Sequence, residues 1–305
     1  PVLLDEHFRS LPPIINFSNQ EFYGDRIRIM SRNSASDMAL ELIQVLDGKV
    51  DMDATRNLPE VEAVVKKLHE LIIEDERKCA NGSGEPISIG IISPFRAQVE
   101  QLKTSVALVL SEHMIKKHRI EIGTAHTFQG DERDIILMSW AFAPNSFPQS
   151  LTFLQKPNLF NVAISRAKSK MISFVSRNPR ELPEGIFRSY LSYIQEYEAK
   201  QQAAEDNEID ENFYKNNFEK EVAQAIRDLG YEVQAGVEVA GFSVDLLVND
   251  KIAIECDGVE DCKKLSGTNM KKQAILERSG LKINRITYRE WQYSPKACLD
   301  RVLIL

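Results

Sequence analysis

The alternation of short apolar runs with helix-length stretches is what most constrains this chain. The runs are ISIGII at Ile87–Ile92, IEIG at Ile120–Gly123, IILMS at Ile135–Ser139 and MISFV at Met171–Val175. Between them, Leu58–Ile73 and Ala97–Glu112 read as helices. Strands that alternate with helices pair in parallel through crossovers, and a parallel sheet needs both faces covered. Residues 1–182 are therefore expected to form an α/β domain around a parallel sheet.

At 305 residues the chain is longer than one typical domain. The sequence predicts a second, smaller α/β unit over 213–305. It has an amphipathic helix Phe218–Leu229 closed by Gly230, and strand signals at Val237–Val248, with a break at Gly241, and at Lys251–Cys256. A helix near Met270–Ser279 and a last strand, Lys282–Tyr288, complete it. The stretch 183–212 starts as a helix rich in aromatic residues and decays into an acidic tract, which reads as a solvated linker.

Charge bears on the choice of partner. The net charge is −7, of which residues 183–212 carry −6, 1–182 carry −1 and 213–305 none. The excess lies in the connector, so total charge does not exclude a polyanion partner. No apolar run approaches the roughly 20 residues that cross a bilayer. The four cysteines, Cys79, Cys256, Cys262 and Cys298, have neither a disulfide framework nor CxxC spacing, which suits reduced thiols and a cytoplasmic setting. The chain opens on Pro1 and leads directly into a motif, as the trailing part of a longer protein would.

GTAHTFQGDERDIILMS, at Gly123–Ser139, carries the most chemistry. Hydroxyl residues and glycine at the mouth of a parallel strand offer N–H groups to a phosphate, and Gln129, Gly130 and Glu132 could sense a nucleotide. NVAISRAK, at Asn161–Lys168, sets Arg166 just before a strand, where an arginine can reach a γ-phosphate held by another domain. EHFRSLPPIINFSNQEFY, at Glu6–Tyr23, brings Arg9, and SPFRAQ, at Ser93–Gln98, is a strand exit into a helix. Taken singly, each has an ordinary reading: a lone arginine is usually a solvated charge, and TAHTF could be a plain loop. His126 is given no chemistry. Leu3-Leu4-Asp5-Glu6 imitates a Walker B strand end, yet no GxxxxGK[ST] loop occurs in these residues. The phosphate cradle is expected in a preceding domain, and 1–305 is expected not to hydrolyse ATP alone.

In this order and register, the four motifs resemble the second RecA-like domain of superfamily 1 helicases, in the branch of the nonsense-mediated-decay and Sen1-type enzymes. The resemblance implies ATP with Mg²⁺ shared between this domain and a first one, with Arg9 and Arg166 as arginine fingers. It implies that Gln129, Gly130 and Glu132 face the nucleotide. Ser93, Thr124 and Thr127 would lie along the nucleic-acid backbone, with Arg96 and Gln98 of the same motif.

In the C-terminal unit, Asp245 and Glu255 fall on neighbouring strand candidates, and clustered carboxylates bind Mg²⁺ or Mn²⁺. Glu219, on the amphipathic helix, can add a third. FEKEVAQAIRDLGYEV, AGFSVDLLV, KIAIECDG and LKINRITYREW resemble the PD-(D/E)XK nuclease superfamily, closest to very-short-patch-repair endonucleases. The resemblance implies metal-side roles for Glu219, Asp245 and Glu255 and favours DNA over RNA as partner. Two departures stand out. Asp257 occupies the place of the usual lysine, and Cys262 that of a histidine common in relatives. Lys263, Lys264, Lys271 or Lys272 could replace the lost cation. The competing readings are a non-catalytic binding module, in which Lys272 or Arg285 pairs with the acids, and an RNA-directed helicase.

Overall fold

The computed structural model describes residues 6–31, 38–51, 55–80, 85–128, 130–206, 214–258 and 268–303. These divide into two compact units. One comprises 9–26 and 38–205; the other comprises 206 and 214–303 together with 6–8 and 27–31. The short strands β1 (Glu6–His7) and β2 (Arg28–Ile29) pair in parallel and belong to the second unit. Between them in sequence, α1 (Pro12–Ser18) starts on two prolines, whose fixed φ suits a first helical turn.

In the larger unit the chain runs through β3 (Leu40–Gln44), α2 (Leu58–Ala80), β4 (Ile89–Ile92), α3 (Arg96–Val109) and α4 (Glu112–Lys117). It continues through β5 (Glu121–Gly123), β6 (Arg133–Ser139), α5 (Pro148–Leu154), α6 (Pro157–Ile164), β7 (Ala167–Val175) and α7 (Ile186–Asp206). The five strands form one parallel sheet in the order β3-β7-β6-β4-β5. Successive side chains of a strand face opposite ways. Ile135, Leu137, Ile172 and Phe174 thus pack under α2 and α3, while Ile136, Met138, Met171 and Val175 face a core shared with α1, α6 and α7. The expected α/β class and parallel RecA-like sheet are what the structure has.

Some elements differ from the sequence expectation. β3 carried no strand signal, because LELIQ mixes polar and apolar residues on an edge that its neighbour β7 stabilises. The linker expected to set in within 183–212 is helical as far as Asp206. Its Glu, Gln and Ala residues are good helix formers. Ties from α7 hold the helix: the Tyr197 hydroxyl accepts the Ala39 N–H at 3.1 Å, and Glu198 accepts the Leu42 N–H at 2.8 Å. The remainder of the acidic tract, 207–213, lies outside the described residues.

The smaller unit runs α8 (Asn217–Asp228), β8 (Val233–Val239), β9 (Phe242–Val248), β10 (Ile252–Asp257), α9 (Thr268–Arg278), β11 (Lys282–Thr287), α10 (Tyr288–Tyr293) and α11 (Pro295–Val302). Its sheet order is β11-β10-β9-β8, antiparallel except for the β10–β11 pair. The expected break at Gly241 is a two-residue hairpin turn, with Ala240 at φ 52° and Gly241 at φ 76°, the left-handed pair that matches strand twist. One face of the sheet packs on α8, α10 and α11 through Val222, Ile226, Ile254 and Trp291. The other packs on α9 through Leu247, Ala253 and Leu276.

Candidate functional site

In the larger unit, Arg9, Glu132 and Arg166 meet because three chain segments converge: the approach to α1, the approach to β6 and the turn between α6 and β7. Glu132 is held by the Arg9 guanidinium and by Lys168 Nζ at 2.8 Å. The hydrogen bond from Lys168, aided by the charge of Arg9, holds its carboxyl below the usual range. Arg9 also donates to the Ser165 carbonyl at 3.5 Å and stays 40% exposed at its side chain, so its charge can still reach a partner.

Arg166 is more enclosed. Its Nε donates to the Val162 carbonyl at 3.0 Å, Nη1 to the Phe128 and Asp131 carbonyls at 3.2 Å each, and Nη2 to the Ser165 hydroxyl at 3.2 Å. Burial, and then the nearby Arg9, lower its pKa. Phe128 and Asp131 bracket the turn that carries Gly130, whose φ of +87° is a conformation side chains rarely adopt. Gln129 lies outside the described residues. Arg133 was not singled out in the sequence, yet its buried guanidinium pins this loop through Asp131 and Glu121 at 2.7 Å each and the Arg119 carbonyl at 2.9 Å. A pair of charges, Arg133 and Asp134, at the head of an apolar strand is the signal that would have found it.

The expected backbone-contacting residues separate into two groups. Thr124 and Thr127 close a short turn: the Thr124 N–H donates to Thr127 Oγ1 at 3.3 Å and the Thr127 N–H to the Thr124 carbonyl at 2.9 Å. A Cβ at Gly123 would fall 2.6 Å from Thr127 Cβ, so only glycine permits that closeness. Ser93 is buried beside them, its N–H on the Gly123 carbonyl at 3.1 Å, and Arg96 is exposed at the start of α3. Gln98 corrects the expectation. It is wholly buried, its Oε1 accepting the Asn57 N–H at 2.8 Å and its Nε2 donating to Ser139 Oγ at 3.0 Å, so it has no amide left for a nucleic acid. The same pocket holds Glu60, which sequence reasoning missed. Its carboxylate accepts from Ser139 Oγ at 2.8 Å, the Ala141 N–H at 2.7 Å and Ser176 Oγ at 3.2 Å. Burial pushes it up to about 7.

In the smaller unit the antiparallel register pairs Ile254 with Leu246, and one step further brings Glu255 beside Asp245. Glu219 reaches the same region from the first turn of α8, where Asn216 caps its N–H at 2.9 Å. Burial, followed by the charges of the other two acids, raises Glu219; burial and Asp245 raise Glu255. Each acid has a partner. Asp245 takes the Lys215 ammonium and the Cys256 N–H at 2.9 Å, and Glu219 takes the Lys215 N–H at 2.8 Å. Lys272 Nζ lies 2.7 Å from Glu255 and 2.7 Å from the Ser243 carbonyl. Of the four lysines left open by spacing, Lys272 is at the acids; Lys263, Lys264 and the side chain of Lys271 lie outside what is described. Asp257, two residues on from Glu255 in β10, is held by Arg285 Nη1 at 3.1 Å to both oxygens. Among the described residues no three His, Cys, Asp or Glu side chains are grouped to hold a metal ion. The oxygens of Asp245 and Glu255 suit Mg²⁺ or Mn²⁺ in kind, and ammonium groups take that place on them. Among the described residues Cys256 is buried and makes no disulfide; Cys262 lies outside them.

A parallel-sheet domain with arginines beside a glycine-bearing loop, followed by a small mixed-sheet domain with clustered acids, is a helicase-type motor domain joined to a restriction-endonuclease-like domain. The chain belongs to the AAA domain family, whose profile matches residues 1–178, on the Upf1/Sen1-like side of it; a second profile, REase_MTES_1575, matches residues 218–304. The chain is 34% identical over 156 residues to MOV-10 of Gallus gallus, covering 44% of this chain and 16% of that one. It is 29% identical over 185 residues to helicase SEN1 of Saccharomyces cerevisiae, covering 56% and 8%. To the DNA replication ATP-dependent helicase/nuclease DNA2 of Gallus gallus it is 28% identical over 206 residues, covering 56% and 20%. The chain thus spans a fifth or less of the length of these relatives. No described helix is long and apolar enough to cross a membrane.

Proposed function

We propose that this chain is the C-terminal part of an ATP-dependent nucleic-acid helicase or translocase, with a metal-dependent nuclease domain at its end. Residues 1–182 serve as the second RecA-like domain, 183–212 as connector and 213–305 as the nuclease-like domain. The observation that carries the reading is that Arg9, ion-paired to Glu132, and Arg166, donating to the Phe128 and Asp131 carbonyls, both lie at the edge of the loop that holds Gly130. Arg9 stays 40% exposed at its side chain, and a nucleotide γ-phosphate from a facing domain is an anion that such a pair of arginines fits. Glu132 with Lys168 sets the direction of Arg9, and the carbonyls of Phe128 and Asp131 set that of Arg166. ATP with Mg²⁺ would be shared with a domain that supplies the phosphate-binding loop.

Thr124 and Thr127 lie on the nucleic-acid path, and DNA is favoured over RNA through the likeness of the tail to DNA nucleases. In the tail, Asp245 and Glu255 would hold Mg²⁺ or Mn²⁺, with Glu219 in support. Such an ion, when bound, supplies a Lewis acid for phosphodiester hydrolysis. Lys272 neutralises Glu255 and is positioned to meet the charge of a phosphate. The setting is cytoplasmic.

The test is nucleic-acid-stimulated ATP turnover by the full-length protein. Arg166→Ala should lower the rate on the order of 10³-fold, the scale of a lost arginine finger. A loss below about threefold sinks the finger role. Stimulation by RNA but not DNA would move the reading to an RNA-directed motor.

A further inference from the structure

Glu6 ends the stretch that imitates a Walker B strand, and the structure gives it a different use. Its carboxylate accepts from Nη2 of Arg278, the last residue of α9, at 2.7 Å, and lies 3.7 Å from Arg28 Nη1. β1 and β2 align Glu6 with Arg28 and His7 with Ile29, and the Met30 N–H donates to the His7 carbonyl at 2.7 Å. Met30 is 2% exposed and belongs to the core of the smaller unit, with Val244, Leu247, Ala253, Ile275 and Leu276. The two-strand ribbon is thus fixed within the smaller unit by a buried apolar side chain and by an ion pair. The chain leaves that unit after Phe8 and re-enters it at Ile27, and the stretch between, which belongs to the larger unit, begins with Arg9.

We propose that Arg278 and Met30 are positioning residues for ATP hydrolysis: by holding the β1–β2 ribbon, the nuclease-like domain fixes the chain from which Arg9 reaches the nucleotide. The inference rests on the reading of Arg9 as an arginine finger, and adds that the tail takes part in the reaction of the motor. Arg9 follows His7 by two residues, and a chain spans at most about 3.6 Å per residue, so a fixed β1 confines the Arg9 Cα to a radius of roughly 7 Å. Within that radius Glu132 and the Ser165 carbonyl select the direction of the side chain. Placement matters, because a shift of about 1 Å in a catalytic group can cost on the order of 10²-fold in rate. β1 has two residues in a two-stranded sheet, and so small a ribbon does not hold itself. Its position comes from Met30 in the core and from Arg278 on Glu6.

The experiment measures ATP turnover by the full-length protein, with ATP varied and the stimulating strand, DNA or RNA, saturating. An exposed ion pair contributes modestly and its reversal to a repulsion adds to the loss, so Arg278→Glu should lower kcat roughly 3- to 10-fold. KM for ATP should stay within about twofold, since a finger acts in the transition state. Glu6→Arg combined with Arg278→Glu restores the pair with its sense reversed and should recover much of the lost rate. Met30→Ala loosens the apolar anchor and should lower kcat in the same way, again with KM held. A surface ion pair of purely structural meaning would leave kcat untouched. The proposal is overturned if Arg9→Ala cuts turnover while Arg278→Glu does not, or if the charge swap is no faster than Arg278→Glu alone. If Arg9→Ala leaves turnover unchanged, or the wild type turns over no ATP with either strand, the finger reading falls, and this proposal with it.

Discussion

Single side chains here are set by what surrounds them more than by their own chemistry. Arg9 and Arg166 are both arginines beside Glu132, yet one is exposed and ion-paired while the other spends its donors on main-chain carbonyls. Glu60 is the sharpest case. Wholly buried and pushed up to about 7, it binds its proton more tightly folded than unfolded. Its contribution to stability is therefore full below its unfolded value near 4.5 and is lost as pH rises through about 7. Across that window the span is about 3 kcal/mol. Glu60→Gln should flatten this part of the stability–pH curve, measured by urea unfolding between pH 4.5 and 8. A variant whose curve keeps the wild-type slope would show that Glu60 does not titrate there.

At the scale of elements, α7 shows how tertiary ties extend a helix. Its first turns bury Phe187, Tyr190, Leu191 and Ile194 against the sheet. The Phe187 ring centroid lies 5.0 Å from that of Trp140, tilted, and 5.8 Å from that of Phe142, edge-on. Removing so large a buried ring costs about 3–5 kcal/mol. Phe187→Ala should lower the unfolding free energy of this domain, measured by denaturant unfolding, by that amount. A loss under about 1 kcal/mol would place α7 outside the folding unit. The Gly123–Thr127 turn makes the same point in the other direction, since its geometry depends on an absent side chain. Gly123→Ala forces Thr127 aside. It should cut single-strand binding at least several-fold while leaving thermal unfolding of the sheet almost unchanged; unaltered binding would remove that turn from the nucleic-acid path.

For the whole molecule, the question is whether a nucleic acid moved by one domain is cut by the other. With Mn²⁺ present, the full-length protein should cleave single-stranded or duplex DNA, and both Asp245→Ala and Glu255→Ala should abolish cleavage. Because burial raises Glu255, protons compete with the metal, and cleavage should strengthen as pH rises from mildly acid values. No cleavage by the wild type, with DNA affinity unchanged by either substitution, would leave the tail a structural domain.

Local order was legible in the sequence because it depends on near neighbours. The apolar runs of β4 to β7, the amphipathic α8 and the glycine break between β8 and β9 follow from spacing alone. The acids Glu219, Asp245 and Glu255 and the arginines Arg9 and Arg166 stood out through the motifs that carry them and the resemblance those motifs imply, and the experiments above test their chemistry. The edge strand β3, the extent of α7, the burial of Gln98 and Glu60 and the pairing of Lys272 with Glu255 depend on residues 17 to 156 positions away. Such pairings are fixed only when the sheet and its covering helices close, because burial and charge are then set by three-dimensional distance, which spacing along a chain does not encode.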